Sequence, residues 1–124
     1  MDFKTMVQEQ KDLIIQTRRD LHRIPETAYT EKKTSEYVAE YLKREGLSVQ
    51  TGIAKFGVVA TLETGKPGKT ILFRADMDAL PLAEKTGLPF ASTHDGVMHA
   101  CGHDAHMAMV LGAATILNKL KSNL

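Results

Sequence analysis

"LSVQTGIAKFGVVATLETGKPGKTILFRADMD", Leu47 to Asp78, is the stretch that decides the fold. Within it "LSVQTGI" alternates, while "GVVATLE" and "TILFRADMD" are β-branched or apolar runs too short for helices. Three strands are expected. The segment "TGKPGKT", Thr64 to Thr70, ends in Gly68-Lys69-Thr70 and superficially suggests a phosphate-binding loop. That loop needs a glycine where this chain has Glu63, and it must open a helix, whereas here a strand is expected. A hairpin turn between the second and third strands is the better reading.

Outward from this stretch the period is helical. Phe3, Met6, Val7, Leu13, Ile14, Thr17 and Leu21 follow the three-and-four spacing of one helix face, and Pro25 ends that helix. A second helix is expected from about Thr30, whose hydroxyl can cap it, with Tyr37, Val38, Tyr41 and Leu42 as its buried stripe and Gly46 as its stop. Ala79 to Ala100, rich in Pro, Gly, Thr and Ser, reads as a long functional loop. The last helix, "HMAMVLGAATILNKL" from His106 to Leu120, is apolar on nearly all sides until Asn118, as a helix buried on more than one face would be.

With 124 residues, 43% hydrophobic and 25% charged, the chain suits one soluble globular domain with a modest core. Lys plus Arg at 16 against Asp plus Glu at 15 leaves no basic patch for nucleic acid or an anionic membrane surface. The N-terminal "MDFKTMVQEQKDL" has no basic-then-apolar leader, and no run approaches the ~18 apolar residues of a membrane span. A soluble cytoplasmic protein is expected, and the single cysteine agrees, since it cannot form an internal disulfide.

That cysteine sits in "MHACGHDAHM", Met98 to Met107, which also holds His99, His103 and His106. Cys101 and His103 are two apart, so an extended segment would put a thiolate and an imidazole on one face, with Asp104 and His106 as further donors nearby. A lone Cys is also often just a small buried residue, and histidines near a helix start can be caps or surface groups. Spacing leaves both readings open, because no CxxC pair and no HExxH helix is present. Asp76 and Asp78, at the end of the expected third strand, are a second constellation where α/β sheets present their chemistry, though such pairs also make turns or a link to Arg74.

"LHRIPE", "KTSEYVAEYL", "GKPGKTILFRADMDALP", "TGLPFAS" and "GVMHACGHDAHMAMVLGAA" resemble successive motifs of a family of metal-dependent amidohydrolases with a zinc-metallopeptidase-like fold. The family includes indole-3-acetyl-amino acid hydrolases, hippurate hydrolases and N-acyl-amino acid amidohydrolases. The motifs run in order from about Leu21 to Leu117, which makes the resemblance specific for the family and silent on the substrate. It implies an α/β fold with helices packed on a mixed sheet, residues 1–124 being the N-terminal segment of a catalytic domain whose remainder, with a smaller lid domain, is absent.

The resemblance further implies two divalent metal ions (Zn, Mn, Co or Ni) with Cys101 and His103 among their ligands. Asp78 matches the aspartate that sits beside the metals and orients a ligand or tunes the catalytic carboxylate. Asp76 stands where related peptidases carry a metal-binding histidine, and its role stays open. His106 is expected to pack the helix or support a ligand rather than be one. Ile24 replaces a second histidine found in many relatives, far from the metal motif. The adjacent glutamate pair that supplies the general base and a ligand matches nothing here, and Glu45, Glu63 and Glu84 lie in no corresponding motif. The expected activity is hydrolysis of the amide bond of small N-acyl amino acids, with neither nucleic acid nor membrane as partner and a homo-oligomer left open. Alone, the chain is expected to be inactive. The alternative is a non-catalytic truncated module that binds metal weakly.

Overall fold

A computed structural model describes residues 2–124 of the chain. The order of elements is α1 (Phe3–Arg23), α2 (Lys32–Arg44), β1 (Ser48–Ile53), β2 (Gly57–Thr61), α3 (His103–Lys119) and a closing 3-10 turn, Lys121–Asn123. The fold is α/β, as expected. Asp2 opens α1 by accepting from the Lys4 amide at 3.0 Å and the Thr5 hydroxyl at 2.6 Å. The helix ends at Ile24, where Pro25 follows.

The start of α2 differs from expectation. Thr30 does not cap it, because its hydroxyl donates to the Thr27 carbonyl at 2.7 Å within its own turn. Glu26 takes that role from across the turn. Its carboxylate accepts from the amides of Lys33 and Thr34 at 3.1 and 2.7 Å and from the Thr34 hydroxyl at 2.8 Å. A carboxylate meets the unpaired N–H groups of a helix N-terminus with charge as well as geometry, so it outcompetes a hydroxyl already engaged.

β1 and β2 form an antiparallel hairpin, with Ser48 opposite Thr61 and Val49 opposite Ala60. The expected third strand does not form. Residues 70–78 lie without a ladder partner among the described residues, and Ile71, Leu72 and Phe73 are 77, 81 and 57% exposed. Strand propensity is realised only where a neighbour supplies hydrogen bonds, and none lies beside this run. For the same reason Thr64 to Thr70 is an irregular loop and not a hairpin turn. A single parallel bridge joins Thr27 to Ala79, and an antiparallel one joins Leu80 to Met98.

The core lies where α1, α2 and α3 meet, with Leu21, Val38, Tyr41, Leu42, Met107 and Leu111 in contact. α1 and α3 approach closely because Gly112 has no side chain: a Cβ there would sit 2.8 Å from Ile14. The Tyr41 hydroxyl meets Thr115 Oγ1 at 2.9 Å beside this core. The N-terminal part of α1 projects beyond it, leaving Phe3 and Val7 exposed. No helix of the described residues is long and apolar enough to cross a membrane.

Two outcomes follow from this packing. Glu26→Ala should lower unfolding free energy by about 1–2 kcal/mol in urea titrations, the usual range for a lost cap; a change near zero would show that Thr30 or water replaces it. The exposed Ile71–Leu72–Phe73 run, together with Met109 on α3, should drive self-association visible by light scattering. Leu72→Lys should reduce it, whereas a monodisperse wild-type monomer at high concentration would contradict the expectation.

Candidate metal centre

Gly102 sets the site. Its φ of +101° is a left-handed conformation that suits glycine, and it turns the loop directly into α3. The helix therefore starts at His103, three residues before the expected His106. Cys101 and His103 do not share one extended strand, as their spacing suggested; one ends the loop and the other opens the helix. Cys101 is exposed, with no hydrogen-bond partner among those the described side chains make.

His103 is held by Asp78. Its Nδ1 lies 2.9 Å from the Asp78 carbonyl oxygen and 3.1 Å from Asp78 Oδ1. Both are acceptors, so Nδ1 carries a proton, and in the neutral ring Nε2 is the nitrogen with the lone pair. Nε2 faces Asp76 Oδ2 at 3.9 Å, and Arg74 grips the other oxygen of Asp76. Thus His103, Asp76 and Asp78 meet at the N-terminal end of α3, while Cys101 lies two residues earlier, in the cleft lined by His22, Glu84 and Asp104. His106 is exposed rather than packed into the helix interface, with its ring centroid 6.0 Å from that of His103.

Thiol, imidazole and carboxylate are the donor types that zinc, manganese and similar cations take. The set has the right chemistry but is short. Among the described residues no group of three or more His, Cys, Asp or Glu side chains is placed to hold a metal ion.

Behind the site lies a network that sequence reasoning missed. His22 on α1 is fully enclosed: Nδ1 is 2.7 Å from Asp104 Oδ2 and Nε2 is 2.8 Å from Glu84 Oε1. Arg18, one turn earlier, places Nε 2.8 Å from the same Asp104 oxygen. Asp104 is therefore not a spare donor for a metal, since its buried carboxylate points back to α1. Glu84 also accepts from the Ser92 amide and from the Thr86 hydroxyl, which ties the long loop to the same point. The available signal was Arg18 and His22, two basic residues at helical spacing beside the apolar stripe of α1.

Burial alone would raise the Glu84 carboxyl, but hydrogen bonds from the Ser92 amide, His22 and Thr86 outweigh it and hold it below the ordinary glutamate value. Burial pushes His99 the other way for a base, down from its usual value, against the pull of Asp104. Its Nε2 is buried with no partner among the described residues. Arg18, His22, Glu84, His99, Cys101 and Gly102 line part of one cleft of about 430 Å³.

Cys101 and His103 flank the start of α3, with Asp78 against the His103 ring, and comparison with known proteins shows which family has this arrangement of sequence. A model of Peptidase family M20/M25/M40 matches residues 72–124. Thermostable carboxypeptidase 1 of Saccharolobus solfataricus is 51% identical over 120 residues, covering 96% of this chain and 30% of its own length. The N-acyl-L-amino acid amidohydrolase of Geobacillus stearothermophilus is 43% identical over 123 residues, covering 99% of this chain and 33% of its own. A solved Bacillus subtilis structure, described as a dinuclear metal-binding peptidase of the M20 family, superposes with a TM-score of 0.88 at 41% identity, over 94% of this chain and 33% of that one. The chain is thus similar along nearly its whole length to relatives of this family, matches the family model over residues 72–124, and spans about a third of the relatives' length.

The lowered Glu84 carboxyl gives a pH test. Its contribution is fully present above the ordinary glutamate range and is lost as pH falls through its own lowered value. Glu84→Gln should therefore be clearly less stable than wild type at neutral pH, with the gap narrowing by about pH 3. Equal gaps in urea midpoints at both pH values would contradict the assignment.

Proposed function

We propose that residues 1–124 are part of the catalytic domain of a metal-dependent amidohydrolase acting on small N-acyl amino acids, with Cys101 and His103 as ligands in a site for two divalent cations such as Zn, Mn, Co or Ni. The observation that carries this reading is the pair of contacts from His103 Nδ1 to Asp78, which frees Nε2 to bind a cation. The relative named as an N-acyl-L-amino acid amidohydrolase supports the substrate class, and the dinuclear M20 neighbour supports two metals.

Cys101 and His103 would hold such a cation, which would supply polarisation of an amide carbonyl and a more acidic water. The chain's own residues orient and supply the donors. Asp78 fixes the tautomer and direction of His103, and Cys101 offers a sulfur that ionises readily on ligation. The side chain of Asp78 is itself about a third exposed beside the His103 ring. The exposed free thiol and the absence of a membrane-spanning helix among the described residues suit a reducing cytoplasm, which completes the proposal.

A second reading, a module that binds metal without catalysis, is favoured by one observation: no three donors converge among the described residues. Metal binding tests the ligand assignment that both readings share, and turnover tests the second reading. Cys101→Ala and His103→Ala should each weaken Zn²⁺ or Mn²⁺ binding at least about tenfold by titration calorimetry. If both variants kept wild-type affinity, the ligand assignment would be wrong. With saturating metal, the 124-residue chain is expected to hydrolyse N-acetyl and N-benzoyl amino acids no faster than Cys101→Ala, since none of its glutamates is placed as general base. Turnover clearly above that control would establish a catalytic site within these residues.

A further inference from the structure

Arg18, His22, Glu84 and Asp104 contribute two basic and two acidic side chains from three segments distant in sequence: α1, the long loop and the first turn of α3. Three of these side chains are almost fully buried, with His22 and Glu84 each 3% exposed and Asp104 1%. Asp104 is the immediate neighbour of His103. An aspartate in the first turn of a helix ordinarily faces the helix's own N–H groups or solvent. This one is instead drawn onto Arg18 and His22 at 2.8 and 2.7 Å, which fixes the rotation of the first turn about its axis. With that rotation set, the His103 ring lands on Asp78.

We propose that this quartet is a positioning device that sets the orientation, and thereby the tautomer, of the His103 imidazole. Glu84 extends the device to the loop, because it holds His22 from the far side while bonding to Ser92 and Thr86. The loop that leads into Cys101 and the helix that begins with His103 are so tied to one point on α1. The functional consequence rests on His103 being a metal ligand, but the tautomer itself is set without any metal.

Long-range ¹H–¹⁵N spectra of the metal-free chain, recorded well above the ordinary histidine value of ~6.5, report which ring nitrogen of His103 carries the proton. Wild type should show the Nδ1–H form alone. Asp104→Asn should lose that single form and show a mixture of both tautomers. Arg18→Met, which leaves the His22–Asp104 hydrogen bond in place, should shift in the same direction by less, and Arg18→Lys should restore the wild-type spectrum. Thr115→Val, which removes the buried bond to Tyr41 far from the site, should lower stability without moving the tautomer.

An unchanged His103 tautomer in folded Asp104→Asn overturns the proposal, as does a Thr115→Val shift of equal size. Should Asp104→Asn fail to fold, an unchanged tautomer in Arg18→Met overturns it. Titration with Co²⁺ keeps the ligand reading separate. Thiolate-to-cobalt absorption that is absent while the tautomer responds to Asp104→Asn refutes the ligand reading and leaves the positioning role standing. Absorption that is present while the tautomer stays fixed does the reverse.

Discussion

A buried imidazole clasped by two carboxylates is the constraint on which the rest of the structure depends. Both ring nitrogens of His22 are engaged, one by Asp104 and the other by Glu84, and Arg18 places its guanidinium beside Asp104. Taking a carboxylate such as Asp104 or Glu84 out of water costs several kcal/mol, and the cost is met only while its partners are in place. Removing one partner from such a group typically costs about 3–5 kcal/mol because the others are left buried and unpaired. The three segments that carry them therefore move together or not at all.

The apolar packing obeys the same geometry. Leu21, next to His22, joins Met107 and Leu111 in the core, so α1 meets α3 through charges at one level and through apolar contacts just below. Gly112 lets the helices close further down, against Ile14. Any side chain there would have to displace that of Ile14. Packing and polar satisfaction point to one arrangement, which is the consistency expected of a sequence that specifies a single fold.

What was legible in the sequence was what local pattern determines. The periodicity of Thr17 and Leu21, and of Val38, Tyr41 and Leu42, placed α1 and α2, and alternation placed β1 and β2, because each signal lies within one element. Thr70 to Asp78 has equal strand character, but a strand needs a ladder partner, and that requirement is non-local. The cap by Glu26 escaped because it reaches across the Pro25 turn instead of standing next to the helix start. For the candidate site, motif resemblance pointed to Cys101, His103 and Asp78, of which the structure brings His103 and Asp78 into contact. The quartet was not legible, since Arg18, Glu84 and Asp104 are brought together only by folding and no short motif records their encounter.

The two histidines that stand beside aspartates, His22 and His103, differ in what they can offer a cation. Each stands between two carboxylate side chains. His22 is filled on both nitrogens at hydrogen-bond distance and its side chain is 3% exposed, so it has no lone pair to offer and no route for a ligand. His103 is filled only on Nδ1, while Nε2 stands 3.9 Å from Asp76, beyond hydrogen-bond reach, and 17% of its side chain is exposed. Arg74 strengthens the difference by drawing one oxygen of Asp76 to itself, so that this carboxylate does not close on the ring. The same pairing of histidine with aspartate thus yields a saturated strut in one place and an oriented donor in the other. The distinction rests on a single nitrogen that the surrounding groups leave free.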